Sequence, residues 1–390
     1  MIRLKVMSVV GCRPNFIKVA PLIEEMRRSP EVEPILVHTG QYYDDAMSDA
    51  FFRDLPVPTP DIVLDVGSGS HAKQTAAIMD RFEDTIYEVN PDVVVVVGGV
   101  NSTVAASMTA VKLGIPVAHV EAGLRSFDRE MPDEINRLMT DAISDILFVS
   151  EASAVDNLTC EGISASRIHF VGNVVIDTLL ASSTRILAST IVDDLGLESG
   201  QYAVLSLRRP LDVDRPARLT AIAAAVAKLQ QRIPIICPID FRTVARFHQL
   251  GVWEQFSSMS NLRVVDPLGY LDFVALIKGS KLTLTDTGGV QEETTACGVP
   301  CLTLRTATQR PSTVSDGSNT LVGEDPDRIV AEAMRILRGD GKVGRIPPMW
   351  DGRASERIVD QLLRKRELLF ERYRNLRVSH LRNGVPGRLS

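Results

Sequence analysis

The run Val117-Ala118-His119-Val120-Glu121-Ala122-Gly123-Leu124-Arg125-Ser126 ends an apolar, strand-like stretch on a carboxylate, and a charged loop follows it. A carboxylate set directly against an apolar strand costs free energy unless it is paired or used, so Glu121 stands apart from ordinary loop charge. Downstream, Asp128, Glu130, Asp133 and Glu134 are interleaved with Arg125, Arg129 and Arg137. Loops at the carboxyl ends of parallel strands are where α/β proteins bind ligands and do chemistry. Charge in a loop more often serves solubility, and the placement of Glu121 is what argues for chemistry here.

Two further segments have the same design of strand, turn and helix. In Gly11-Cys12-Arg13-Pro14-Asn15-Phe16-Ile17-Lys18, Pro14 marks the first helical turn, and Arg13 and Lys18 supply cations. In Leu284-Thr285-Asp286-Thr287-Gly288-Gly289-Val290-Gln291-Glu292-Glu293, two glycines let backbone N–H groups come close to a phosphate. The helix field adds only about 0.3 to 2 kcal/mol, so a diphosphate needs cationic side chains as well. Glu293, one turn into the helix, is placed to accept from ribose hydroxyls. Taken singly, a Gly-Gly turn, an Arg-Pro pair and a helical lysine are all commonplace.

The elements that must hold these residues are short apolar runs alternating with helical-period segments, the pattern of parallel sheets covered by helices. Strands are expected at Val6 to Val10, Pro34 to His38, Val93 to Val97, Val117 to Val120, Ile146 to Phe148 and Ile168 to Val171. A second set follows at Ala203 to Leu207, Ile235 to Cys237, Arg263 to Val265, Leu282 to Thr285 and Pro300 to Thr303. The five valines from Val93 indicate a central strand buried on both faces. The fold class is therefore α/β, with two doubly wound, Rossmann-like domains. The boundary is expected near residue 175, within the segment that runs from Gly172 to about Ser199. From Ser355 to Arg374 the chain reads as a charged amphipathic helix.

The chain's 390 residues suffice for two cores, and 45% hydrophobic with 24% charged residues is the balance of a globular enzyme. A net charge of -6 leaves no basic footprint for nucleic acid. The start shows no signal-peptide pattern, and no apolar stretch is long enough to span a bilayer, so a cytoplasmic protein with no membrane partner is expected. The cysteines, Cys12, Cys160, Cys237, Cys297 and Cys301, lack paired spacing and read as reduced thiols, with no metal site. Cys12 is read as a small filler rather than a reactive thiol.

Together these segments resemble the non-hydrolysing UDP-N-acetylglucosamine 2-epimerase family over nearly the whole chain. Framework motifs such as Gly298-Val299-Pro300-Cys301-Leu302-Thr303-Leu304 and Pro347-Pro348-Met349-Trp350-Asp351-Gly352-Arg353 match it too. The resemblance implies a GT-B type arrangement, two domains facing across a cleft, with residues 1–175 in the first and 176–364 in the second. A last helix at about 365–382 would return to the first domain. It further implies a UDP-sugar as ligand, no cofactor, and a homodimer. By the same resemblance Glu121 and Asp133 match two catalytic carboxylates, Asp133 one methylene shorter than the usual glutamate, and Lys18 and Arg137 belong with them. UDP or substrate contacts are implied for Arg13, Arg208, Phe273, Thr287, Gly288, Gly289, Glu293 and Arg310.

Several positions depart from the family pattern. Gly99, in Gly98-Gly99-Val100-Asn101-Ser102-Thr103, stands where the family has a catalytic aspartate. Arg208 and Asp240 each stand for a histidine, Thr306 and Gln309 for two carboxylates, and Tyr42 alters a segment touching the family's allosteric site. By formal count the exchanges at 99, 208, 240, 306 and 309 add about +3 around the site, which favours a more anionic ligand such as a UDP-uronic acid. An internal pair of Asp240 with Arg208 would offset part of that. The family reaction eliminates UDP across C1 and C2 and re-adds it, and each lost acid or base is typically worth about 10² to 10⁴ in rate. Glycine transfers no proton, and arginine holds a diphosphate without shuttling one. The expected class is an isomerase-family enzyme acting on a UDP-amino sugar, with weak or altered ordinary epimerase activity. Two alternatives remain open: glycosyl transfer or hydrolysis using space left at Gly99, and a catalytically silent UDP-sugar binder.

Overall fold

The computed structural model describes residues 3–40, 59–207 and 216–367. The expectations for Tyr42, for Arg208 and for the chain beyond residue 367 fall outside those residues, as does the side chain of Arg13. The chain divides into two compact units, the first holding the described residues up to Thr178 and those from Pro348 onward, the second holding Leu179–Pro347.

The first unit has seven strands, β1 (Leu4–Val10), β2 (Val32–His38), β3 (Ile62–Val63), β4 (Val93–Val97), β5 (Val117–Val120), β6 (Ile146–Val149) and β7 (Ile168–Phe170). They pair in parallel in the order β3-β2-β1-β4-β5-β6-β7. β4, all valine and fully buried, lies beside β1, where both faces are covered by helices and β-branched side chains pack well. One side packs Met7, Val9, Val94 and Val96 against Phe82 and Ile86 of the helix His71–Val89. Ser70 caps that helix through its Oγ, and Asn90 ends it in a left-handed conformation at φ +52°.

The chain returns to this unit through Trp350, whose indole N–H donates to Ser150 O at 3.1 Å. Asp177 then accepts from the N–H groups of Ala354 and Ser355, at 3.1 and 2.7 Å, and so caps the helix Ala354–Arg364. A carboxylate remote in sequence thus satisfies the first-turn donors that a helix otherwise leaves orphaned.

The second unit has six parallel strands, β8 (Ala203–Ser206), β9 (Ile235–Pro238), β10 (Leu262–Val265), β11 (Leu282–Thr285), β12 (Cys301–Thr303) and β13 (Asn319–Leu321), in the order β10-β9-β8-β11-β12-β13. Its core joins Leu205, Ile235, Leu284 and Leu302 to Leu219, Ile222 and Val226 of the helix Pro216–Leu229. Each such buried side chain contributes about 1.5 to 3 kcal/mol. Both sheets are doubly wound, the α/β class the sequence pattern indicates. β3 and β13, which no apolar run in the sequence indicated, are short strands at sheet edges. In both sheets the order reverses once, between β1 and β4 and between β8 and β11, and ligands of such folds bind beyond the strand ends at these points.

Candidate active site

At the β1/β4 reversal the structure brings together residues from three strand ends. Asn15, on the first turn of the helix Arg13–Arg28, accepts from the N–H groups of Gly11 and Cys12 at 3.2 and 3.3 Å and donates to Val97 O at 3.1 Å. That side chain ties the end of β1 to the end of β4. Lys18, one turn further, puts its Nζ 2.6 Å from Glu121 Oε2, while Arg137 Nη2 lies 3.5 Å from the same oxygen. Glu121 is 1% exposed. Its backbone is left-handed at φ +64°, an uncommon conformation for a residue with a side chain, and Arg137 Nη1 holds its carbonyl at 2.8 Å.

Gly98 and Gly99 form the turn facing this cluster. Gly98 is left-handed at φ +76°, and a Cβ there would lie 3.5 Å from Lys18 Nζ, 3.6 Å from Asn15 Nδ2 and 3.6 Å from Glu121 Oε2. Position 99 differs. A Cβ on Gly99 would come within 2.9 Å of both Arg137 Cγ and the Asp133 carbonyl oxygen. Arg137 and the start of the helix Pro132–Ile143 therefore crowd the Cβ position of residue 99.

Asp133, half-buried in the first turn of that helix, sits where the helix field favours a carboxylate. Glu134 instead fixes the loop after β5, accepting from Ser126 N at 2.8 Å, Ser126 Oγ at 2.9 Å and Phe127 N at 3.1 Å. Asn136 donates to Gly99 O at 2.9 Å and to Asn101 Oδ1 at 3.2 Å, which braces the β4 turn from the other side.

Beneath the turn lies a buried ionic cluster that no motif in the sequence announced. His119 Nε2 lies 2.8 Å from Gly98 O, an acceptor, so this nitrogen donates, and Nδ1 lies 2.6 Å from Asp141 Oδ1. Asp141 Oδ2 also meets Arg125 Nη2 at 2.7 Å and accepts from Gly123 N at 3.0 Å. Burial opposes ionisation of Asp141, but His119, Arg125 and that N–H outweigh it and hold the carboxyl below its ordinary range. Arg125 continues outward to Glu161 through two contacts of 2.7 Å. A carboxylate on the inward face of an amphipathic helix, as Asp141 is, was the available signal.

In the second unit, Thr287 N donates to Thr285 Oγ1 at 3.0 Å and Thr287 Oγ1 donates to Asp286 Oδ1 at 2.9 Å, shaping the turn into the helix Gly288–Cys297. The space beside the two glycines is open: a Cβ on Gly289 would meet nothing within 4 Å, and one on Gly288 only Arg310 Cγ at 4.0 Å. Glu293 is buried one turn in, and burial together with its charge raises the Tyr270 phenol well above the ordinary value. Arg310 is ion-paired with Glu292 at 2.6 Å, both almost fully buried. Phe273 is 7% exposed and packs with Tyr202, Val204, Ile236, Leu276 and Val290. Gln309 is buried and Thr306 exposed. Asp240 caps the helix Phe241–Gln249, accepting from Thr243 N at 2.9 Å and Thr243 Oγ1 at 3.2 Å.

All five cysteines are free thiols, and burial pushes Cys12 up to about 11, which suits a filler better than a nucleophile. Among the described residues no group of His, Cys, Asp or Glu is placed to hold a metal ion.

A sequence model described as UDP-N-acetylglucosamine 2-epimerase matches residues 24–363. The chain is 37% identical to the UDP-N-acetylglucosamine 2-epimerase of Methanocaldococcus jannaschii over 91% of its own length and 98% of the relative's. It is 38% identical to the UDP-2,3-diacetamido-2,3-dideoxy-D-glucuronate 2-epimerase of Pseudomonas aeruginosa, over 92% of this chain and 99% of that one. Among solved structures, the Methanocaldococcus jannaschii UDP-GlcNAc 2-epimerase in complex with UDP-GlcNAc and UDP superposes with a TM-score of 0.87 at 37% identity, covering 92% of this chain and 99% of that one. The Neisseria meningitidis UDP-GlcNAc 2-epimerase bound to UDP-GlcNAc gives 0.85 at 27% identity, over 93% and 100%. By its sequence and by the fold of both units, the chain belongs to the UDP-N-acetylglucosamine 2-epimerase family.

Proposed function

We propose that this chain is an isomerase-class enzyme acting at C1 and C2 of a UDP-linked amino sugar, and that its turnover of UDP-GlcNAc itself is slow. The observation that carries this reading is the Lys18–Glu121–Arg137 cluster at the β1/β4 reversal, where a buried carboxylate and a half-buried ammonium share one short hydrogen bond. A base takes the C2 proton, the C–H electron pair forms the C1–C2 double bond, and the C1–O bond breaks with its pair leaving on UDP. Return of UDP to C1 and of a proton to the other face of C2 completes the inversion. Lys18, Glu121 and Asp133 are the groups assigned to proton transfer, Arg137 to orienting Glu121. The turn at Gly288 and Gly289, with Thr287, Glu293 and Arg310, is assigned to UDP. The named activities of the relatives support this, and UDP-sugar binding within a cytoplasmic homodimer forms part of the same reading.

Slow turnover of UDP-GlcNAc follows from Gly99 and Arg208, neither of which can transfer a proton. The added positive charge favours a ligand with a further acidic group, and the relative named for a UDP-linked glucuronate supports that chemistry within the family. Calorimetric competition at low salt tests it: the C6-carboxylate counterpart of UDP-GlcNAc is expected to bind more tightly than UDP-GlcNAc, and equal affinities contradict it. One observation favours a second reading, a silent UDP-sugar binder: Arg137 closes the position where the family resemblance places an aspartate.

A further inference from the structure

Phe127 is 77% exposed and left-handed at φ +59°. Both features are unfavourable for a phenylalanine, since glycine or asparagine would hold that backbone with less strain and without an exposed ring. The loop gives it no freedom to relax. Leu124, Arg125 and Ser126 before it are buried, as is Met131 after it. Phe127 N is fixed by Glu134 Oε1, Asp128 N by Ser126 Oγ at 3.3 Å, and Met131 N by Asp128 O at 3.1 Å. Its exposed neighbours, Asp128, Arg129 and Glu130, are all charged, so the one apolar side chain at the tip is an exception within its own turn. A rigid, strained pedestal that projects an aromatic ring away from the core is the pattern of a ligand contact.

The chemistry of its surroundings narrows the ligand group. The loop links Glu121 to Asp133, the two carboxylates to which C2 chemistry is assigned above, and this inference rests on that reading. At C2 of an amino sugar the substituent is the N-acyl group, whose methyl is the apolar feature of a region otherwise made of hydroxyls and phosphates. We infer that Phe127 is a substrate-contacting specificity residue that covers the 2-N-acyl group and selects amino sugars over their 2-hydroxy counterparts.

Calorimetry with UDP, UDP-glucose and UDP-GlcNAc on the full chain and on Phe127→Ala, Phe127→Gly and Phe127→Tyr tests this. Wild type and Phe127→Tyr are expected to prefer UDP-GlcNAc to UDP-glucose. Phe127→Ala and Phe127→Gly are expected to weaken UDP-GlcNAc about fivefold, the yield of burying one methyl group, and to leave UDP and UDP-glucose unchanged. Phe127→Gly relieves the backbone and is expected to melt no lower than wild type, which separates contact from folding. Unchanged UDP-GlcNAc affinity in Phe127→Ala, an equal loss for UDP-glucose, or a changed sedimentation mass at constant affinity overturns the inference, the last by making the ring a contact between copies. A wild type that binds none of the three ligands removes the underlying functional reading as well.

Discussion

Arg137 crowds the Cβ position of residue 99, its Cγ lying 2.9 Å from where a Cβ on Gly99 would be. The Asp133 carbonyl lies equally near, so the crowding involves backbone as well as a flexible arginine. Gly99→Ala is expected to destabilise the chain by about 1 to 3 kcal/mol, the usual cost of overpacking. Arg137→Ala in the same background should recover part of that loss. Urea unfolding measures both, and a neutral Gly99→Ala would show that the site yields more easily than its geometry implies. Gly99→Asp meets the same obstruction, so restoring the family residue alone is not expected to restore function.

Lys18 and Glu121, 103 residues apart, form the short ion pair at the site's centre. Lys18→Met takes the short cationic partner away from the almost fully buried Glu121. A loss of about 3 kcal/mol is expected, as for breaking a buried pair from one side. Lys18→Met with Glu121→Gln should recover most of it, because the buried negative charge is then gone as well. If the two single losses simply add, the pair is not coupled as described.

Of the fold, the strand cores were legible: β4, β5 and β11 have the bounds their apolar runs indicate, because charge or glycine stops each run. β13 was not legible, since Asn319-Thr320-Leu321 carries no apolar run and lies at a sheet edge, where Asn319 Oδ1 accepts from Thr303 Oγ1 of β12 at 2.7 Å. At the site, residue types at strand ends marked Lys18, Glu121 and Gly288 as candidates. Their pairing was hidden, because spacing along the chain does not say which helix face meets which strand end. The His119–Asp141–Arg125 cluster escaped for the same reason. Asp240 read as a lost histidine, yet a helix begins right after it, and its carboxylate caps that helix.

That cap gives a clean control. Asp240→Ala is expected to cost about 1 kcal/mol through loss of the bonds to Thr243, and Asp240→Asn less. Affinity for UDP should stay the same in both, and a change in UDP affinity with unchanged stability would move Asp240 from the scaffold to the ligand site.

Asp141 sets a pH dependence. Burial alone would raise its carboxyl, but His119, Arg125 and the Gly123 N–H bring it below the ordinary aspartate range. With the folded value depressed, the stability it contributes is fully present above about pH 4 to 5 and is lost as pH falls through the folded value. Asp141→Asn is therefore expected to be less stable than wild type at pH 7, with the gap narrowing progressively below about pH 5. A gap that widens in acid would reverse the assigned sign.

The proposed function rests on proton exchange at C2 of a UDP-amino sugar. Incubation of the chain in D₂O with UDP-GlcNAc and with its C6-carboxylate counterpart, followed by NMR of the recovered sugars, tests it most directly. Deuterium is expected at C2, slow with UDP-GlcNAc and faster with the carboxylate, and none in the Glu121→Gln variant. UDP release without deuterium, or binding of both sugars with no exchange at all, would contradict it.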